Sequence, residues 1–263
     1  MTIHNVQHPA IELHNLTVTY DGKPAAWNLD YTLPQGQLIG IMGPNGSGKS
    51  TSMKAMMGLV PLASGEVQLF GKPLDSVRNR VAYVPQRGSV DWDFPASVLD
   101  TVLMGRLNRK NIFKRTSKQD KEIALECIKK VRLEKFVHRQ ISQLSGGQQQ
   151  RVFIARALAQ QADLYLLDEP FAGVDAATEN AIIDLLKEMK EEGKTVVVVH
   201  HDLQTAPAYF DWLLLMNTRL VASGPTEMVY KEEILNDAFG GKLNVLTQLG
   251  ELIKEQNHPF REK

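Results

Sequence analysis

The 263-residue sequence has one cysteine, no surplus of either charge sign and no long apolar run. Each shortage excludes something. With Cys127 alone an intrachain disulfide is impossible, and the chain suits a reducing compartment. That cysteine falls on an amphipathic helical stretch, where core packing explains it. Lys plus Arg number 30 and Asp plus Glu 30, so the formal net charge is zero. That balance argues against nucleic acid or acidic lipid as a non-specific partner. No stretch of about 18 apolar residues occurs, so the chain is not expected to span a membrane by itself. Met1 to Ala10 lacks the basic-then-apolar pattern of a secretory signal, which predicts a cytosolic protein. What is present is ordinary for a globular chain, 43% hydrophobic and 23% charged. The length suits one large domain, or a core with an inserted subdomain.

Both ends read as buried strands alternating with helices, which predicts an α/β core with a mostly parallel sheet. Leu38 to Met42 is a short apolar run that ends in glycine. Leu164 to Leu167 is a second run, ending in two acids. Thr195 to Val199 contains four consecutive valines and follows a helix-like segment from Thr178 to Lys190. A strand of valines is buried on both faces, as central parallel strands are. From about Pro95 to Gln160 helical periodicity takes over, with Ile123, Cys127, Ile128 and Val131 near one face. The expected organisation is therefore a single unit over 1–263. A core of 1–86 and 161–243 holds an inserted helical subdomain at about 87–160, and a tail covers about 244–263. Asn108 to Asp120, polar and basic, reads as a solvated loop. No internal repeat, heptad pattern or low-complexity run is present.

Gly43-Pro44-Asn45-Gly46-Ser47-Gly48-Lys49-Ser50 fits the phosphate-loop pattern G-x-x-x-x-G-K-[ST]. Its glycines let the backbone wrap phosphate and aim N–H groups inward. Lys49 supplies a charge to the β- and γ-phosphates, Ser50 a hydroxyl for Mg²⁺, and Thr51 lies at a helix N-terminus beside the α-phosphate. A glycine-rich turn with a chance lysine would not also sit between an apolar strand and a helix at Lys49 to Met57. Asp168 and Glu169 end the second strand, where ligands of parallel sheets bind. Asp168 can hold Mg²⁺ through water, and Glu169 can orient or deprotonate the attacking water. Strand ends commonly emerge into polar loops, but the phosphate loop upstream favours the catalytic reading.

Leu144-Ser145-Gly146-Gly147-Gln148 is a helix start, with Ser145 and Gln148 forming a capping box. Two adjacent glycines each cost ~1 kcal/mol of helix propensity, which a cap alone would not require. Bare N–H groups at a positive helix end make an anion site. This segment, followed by QQRVFIARAL and LLDEP, resembles the signature region of ATP-binding-cassette (ABC) proteins, and the resemblance runs to about Gly241. It implies a P-loop NTPase (RecA-like) core, an N-terminal antiparallel β portion and an inserted α-helical subdomain. It implies ATP and Mg²⁺ as cofactors and a head-to-tail homodimer. Each ATP would lie between the phosphate loop of one copy and Ser145, Gly147 and Gln148 of the other.

Further positions match that family. Gln86 resembles the glutamine that senses Mg²⁺ and links the core to the helical subdomain. Tyr20 resembles the aromatic that stacks on adenine, with inward packing in a strand as the alternative. The γ-phosphate histidine of the family precedes an aspartate, which selects His201, before Asp202, over His200. Strand alternation should turn His200 to the opposite side. His4, His14 and His138 lack ligand spacing. One departure stands out: Ala172 occupies the position of a serine in the family's loop after the acids, although Asp175 is retained. That puts one hydroxyl contact across the dimer in doubt.

Two functional classes compete, a transporter motor subunit and a soluble cassette ATPase. Soluble members usually carry two cassettes or long coiled-coil insertions, and neither is present. The chain resembles an importer subunit, peripheral on the cytoplasmic face of the membrane. Its partners would be separate permease chains, with an extracellular metal-binding protein acting through them. The stretch Val84 to Pro95 resembles subunits of bacterial manganese, zinc and iron importers, the manganese branch most. Trp92 and Phe94 could present an apolar surface to a permease helix, or pack between core and subdomain. Asp91 and Asp93 are not read as metal ligands, since no third ligand lies nearby.

Overall fold

The computed structural model describes residues 6–107 and 116–240. Two sheets of different construction frame it. The first is antiparallel: β1 (Pro9–Tyr20) and β2 (Lys23–Pro34) form a hairpin, and β4 (Ser64–Leu69) pairs with the other edge of β1. Asp21 and Gly22 close the hairpin, both at positive φ, as a tight Asp-Gly turn requires. In β1, Leu13 and Leu16 are both buried although three residues apart, because a bulge around Asn15 shifts the register between them.

The second sheet has six strands in the order β5 (Val81–Val84), β6 (Leu164–Asp168), β7 (Thr195–Val199), β3 (Leu38–Met42), β8 (Trp212–Asn217) and β9 (Arg219–Pro225). The first five are parallel, and β9 returns antiparallel beside β8. Every residue of β3, β6 and β7 is buried. Val196 and Val198 join the core on one side of the sheet, and Val197 and Val199 join the other. The valine run is therefore explained by two covered faces. Because β6, β7 and β3 are neighbours, the loops after their carboxyl ends adjoin one another.

The helices are α1 (Lys49–Met56), α2 (Leu74–Val77), α3 (Val98–Leu103), α4 (Lys118–Lys130), α5 (Gly146–Ala159), α6 (Ala176–Glu191), α7 (Ala206–Tyr209), α8 (Thr226–Val229) and α9 (Glu232–Phe239). Between 87 and 160 the described residues form no named strand, and α3, α4 and α5 pack on one another. Ala124, Cys127 and Ile128 are the buried positions of α4, and burial pushes the Cys127 thiol up to about 11. The expected loop from Asn108 to Asp120 needs correction at its end. Ser117 caps α4 in a reciprocal box with Asp120, so the helix already runs from Lys118. Its first turn is polar because it faces solvent, which hid the cap. Residues 108–115, His4 and the tail lie outside the described residues. The helix expected at Thr178 begins two residues earlier, since Asp175 caps it by accepting from Thr178 N at 2.8 Å. Among the described residues no helix is long and apolar enough to cross a membrane.

Candidate nucleotide site

The phosphate loop joins β3 to α1. Gly46 and Gly48 have φ of 79° and 92°, and a Cβ on Gly48 would come within 2.2 Å of Ala25 O. Asn45 and Gly46 form the exposed crest, while Gly43, Ser47 and Lys49 are buried. Lys49 Nζ donates to Gly43 O and Pro44 O, both at 2.9 Å. Burial lowers the Lys49 pKa, with Glu169 and Asp168 opposing. No acidic residue occupies the first turn of α1, where Ser50 and Thr51 lie, so its positive pole stays available to an anion.

Ser50 Oγ donates to Asp168 Oδ1 at 2.7 Å, tying the loop to the end of β6. Asp168 is fully buried, and burial raises its pKa while the Ser50 contact opposes. Its Oδ2 and the Ser47 hydroxyl are buried with no hydrogen-bond partner among the described residues. Such orphaned oxygens are costly unless something binds them. An oxygen-only donor set of this kind suits a hard divalent cation such as Mg²⁺. Glu169, next along, has φ of 50°, a left-handed conformation unfavourable for a residue with a Cβ. Its Oε2 accepts from Gln86 Nε2 at 2.8 Å.

The two histidines differ in burial although their ring centroids are 5.8 Å apart. His200 is buried, with Nε2 2.8 Å from Thr205 Oγ1 and its ring edge-on to Phe171 and Phe210. Burial first, then His201, pushes its imidazole down to about 4. His201 is exposed. Tyr20 ends β1 at the hairpin and is 47% exposed, so it does not pack inward. His14 is partly exposed and His138 exposed, and the described residues contain no cluster of three or more metal-ligating side chains. Asp91 accepts from Asp93 N in a local turn.

The predicted capping box is present at the start of α5. Ser145 Oγ accepts from Gln148 N at 3.4 Å, and Gln148 Oε1 accepts from Ser145 N at 2.9 Å. Ser145, Gly146, Gly147 and Gln148 line a cleft of about 460 Å³ whose far side carries Val174 and Asp175. Trp92 packs edge-on to Phe153 with ring centroids 4.9 Å apart, whereas Phe94 is 52% exposed. Arg87, which the sequence places beside Trp92 and Phe94 with Asp91 and Asp93, instead hydrogen-bonds to Gln149, a contact sequence reasoning missed. The available signal was Gln149 itself, a polar residue at a buried helical position.

A phosphate loop tethered to a buried strand-end carboxylate is a nucleoside-triphosphate site, and the parallel sheet around it makes the chain a P-loop NTPase. The family profile described as ABC transporter matches residues 27–172, and the chain belongs to that family as one of its ATPase cassettes. It is 58% identical over 236 residues to the manganese transport system ATP-binding protein MntB of Bacillus subtilis (strain 168), covering 90% of this chain and 94% of that protein. It is 54% identical over 235 residues to the zinc transport system ATP-binding protein TroB of Treponema pallidum (strain Nichols), covering 89% of this chain and 88% of that one. A solved dimeric bacterial ABC transporter cassette aligns with a TM-score of 0.71 and 33% identity, over 82% of this chain and 98% of that one.

Proposed function

We propose that this chain is the ATP-hydrolysing motor of a bacterial manganese importer. It would work as a head-to-tail homodimer on separate permease subunits at the inner face of the membrane. The Gln86–Glu169 hydrogen bond carries the hydrolytic part of this reading, since it holds a carboxylate beside the phosphate loop in one orientation. Glu169 orients the attacking water and accepts its proton, and Gln86 keeps the carboxylate aimed. Ser50, Asp168 and Gln86 would hold Mg²⁺, which when bound would neutralise charge on the triphosphate. Lys49 turns from its loop carbonyls to the β- and γ-phosphates, exposed His201 reaches the γ-phosphate and Tyr20 stacks on adenine. Ser145, Gly146, Gly147 and Gln148 close on the nucleotide of the second copy. The dimeric cassette among the similar structures supports a working unit of two copies.

Manganese as cargo is supported by the similarity to the Bacillus manganese protein across nine-tenths of the chain. The zinc relative keeps zinc as the second reading, with iron the further branch. The cargo would arrive through an extracellular metal-binding protein and the permease, and nucleic acid has no part. The deciding experiment is uptake of manganese, zinc and iron, side by side, in cells lacking the gene. Complementation would use the wild-type or the Glu169→Gln chain. Loss of manganese uptake, restored only by wild type, is expected. A selective loss of zinc or iron would reassign the cargo, and unchanged uptake of all three would sink the transport role.

A further inference from the structure

Arg87 follows Gln86 directly, yet its side chain turns to a different partner, the start of α5. Its Nε and Nη2 both donate to Gln149 Oε1, at 3.3 and 3.1 Å. Gln149 is buried and donates in turn to Ile141 O at 3.0 Å, so the guanidinium is seated on a fixed acceptor. The same guanidinium lies so near Gly146 that a Cβ there would come within 2.7 Å of Arg87 Cζ and Nη1. The backbone is pinned too: Arg87 O accepts from Trp92 Nε1 at 3.0 Å, and Trp92 packs on Phe153 of α5. Adjacent residues therefore hold two different things, Glu169 through Gln86 and the signature helix through Arg87.

The electrostatics of this contact are informative. A cation at a helix N-terminus opposes the helix dipole, and α5 has no acidic residue in its first turn to offset it. The hydrogen bonds to Gln149 have to outweigh that opposition in the single chain. The charge at that helix start is offset when an anion arrives there, and in a head-to-tail pair the arriving anion would be the triphosphate of the second copy.

We propose that Arg87 is a positioning residue that sets Gly146 and the first turn of α5 against the nucleotide of the second copy. In doing so it links the Gln86–Glu169 contact of one site to the signature segment completing the other. This rests on the head-to-tail reading above. Charge alone does not suffice, because a lysine cannot reproduce two N–H groups converging on one acceptor.

The test uses full-length Glu169→Gln chain and follows ATP-driven dimerisation by light scattering. Absence of an ATP-dependent dimer would overturn the head-to-tail reading, and this proposal with it. Once that dimer is established, adding Arg87→Met should raise the ATP concentration at half-dimerisation about tenfold. Arg87→Lys should raise it comparably. Binding of a fluorescent ATP analogue to the dilute monomer should stay as in the parent, while the melting temperature falls modestly because the buried Gln149 Oε1 loses its donor. Combining Arg87→Met with Gln149→Met should add little to Arg87→Met alone. An unchanged dimerisation midpoint would refute the role. So would monomer nucleotide binding falling in step with dimerisation, which would reduce Arg87 to packing. Should Arg87→Met fail to fold, Arg87→Lys carries the same comparison.

Discussion

The side-chain amide of Gln86 donates to the carboxylate of Glu169 at 2.8 Å, joining the end of β5 to the end of β6. Glu169 meets it from a left-handed backbone conformation that costs of order 1–3 kcal/mol. Strain of that kind is maintained where a side chain must point in one direction. Glu169→Gln should leave ATP binding within about twofold of wild type and lower kcat by ~10²–10⁴-fold. Steady-state hydrolysis and nucleotide binding, measured on the same preparation, check this. Normal turnover would remove Glu169 from the mechanism.

Gly147 offers a sharper separation of stability from function. A Cβ there would come no nearer than 3.5 Å to Val174 Cγ1, 3.7 Å to Thr178 Cγ2 and 3.8 Å to Val174 Cβ, ordinary contacts within the chain itself. Gly147→Ala should therefore fold normally and melt no lower, with a gain of up to ~1 kcal/mol from helix propensity. Its ATPase rate should nevertheless fall by about 100-fold, because the methyl occupies the cleft where the other copy's phosphates must approach. A variant that is both stable and fully active would show that the glycine serves no second copy.

Tyr20 is 47% exposed and contributes little to the core. Tyr20→Ala should leave the melting temperature nearly unchanged while raising the KM for ATP about tenfold, the scale of one lost base–aromatic stack. Tyr20→Phe should behave as wild type. An unaltered KM in the alanine variant would mean that the base stacks elsewhere.

The buried His200 makes stability sensitive to acid. Its pKa falls from 6.5 to about 4 on folding, so below pH 6.5 the unfolded chain binds the proton first. Stability is then lost as pH drops from about 6.5 toward 4, by roughly 3 kcal/mol at most. His200→Gln, which can keep a contact to Thr205 but does not titrate, should show a shallower acid limb. Urea midpoints measured from pH 7.5 to 4.5 give the comparison, and parallel curves for the two chains would contradict it.

Much of this was legible in the residue string. The β3, β6 and β7 runs, the phosphate loop and the capping box at Ser145 follow from local backbone demands that short motifs carry. The start of α4 was missed because its exposed first turn looks like loop, and only the Ser117–Asp120 cap marks it. The two histidines differ in burial, His200 buried and His201 exposed, but both lie beyond the end of β7, where strand alternation no longer sets direction. Nothing local disclosed the partner of Arg87, which is 62 residues away.

By itself the sequence determined the chemistry: which groups can cradle phosphate, hold a hard cation and cap an anion-binding helix. Tertiary structure decided which of them meet. Ser50 reaches Asp168 across 118 residues and Gln86 reaches Glu169 across 83. Both meetings depend on the neighbour order β5-β6-β7-β3. That order comes from burying both faces of one sheet, a global packing outcome that periodicity within a single strand does not encode.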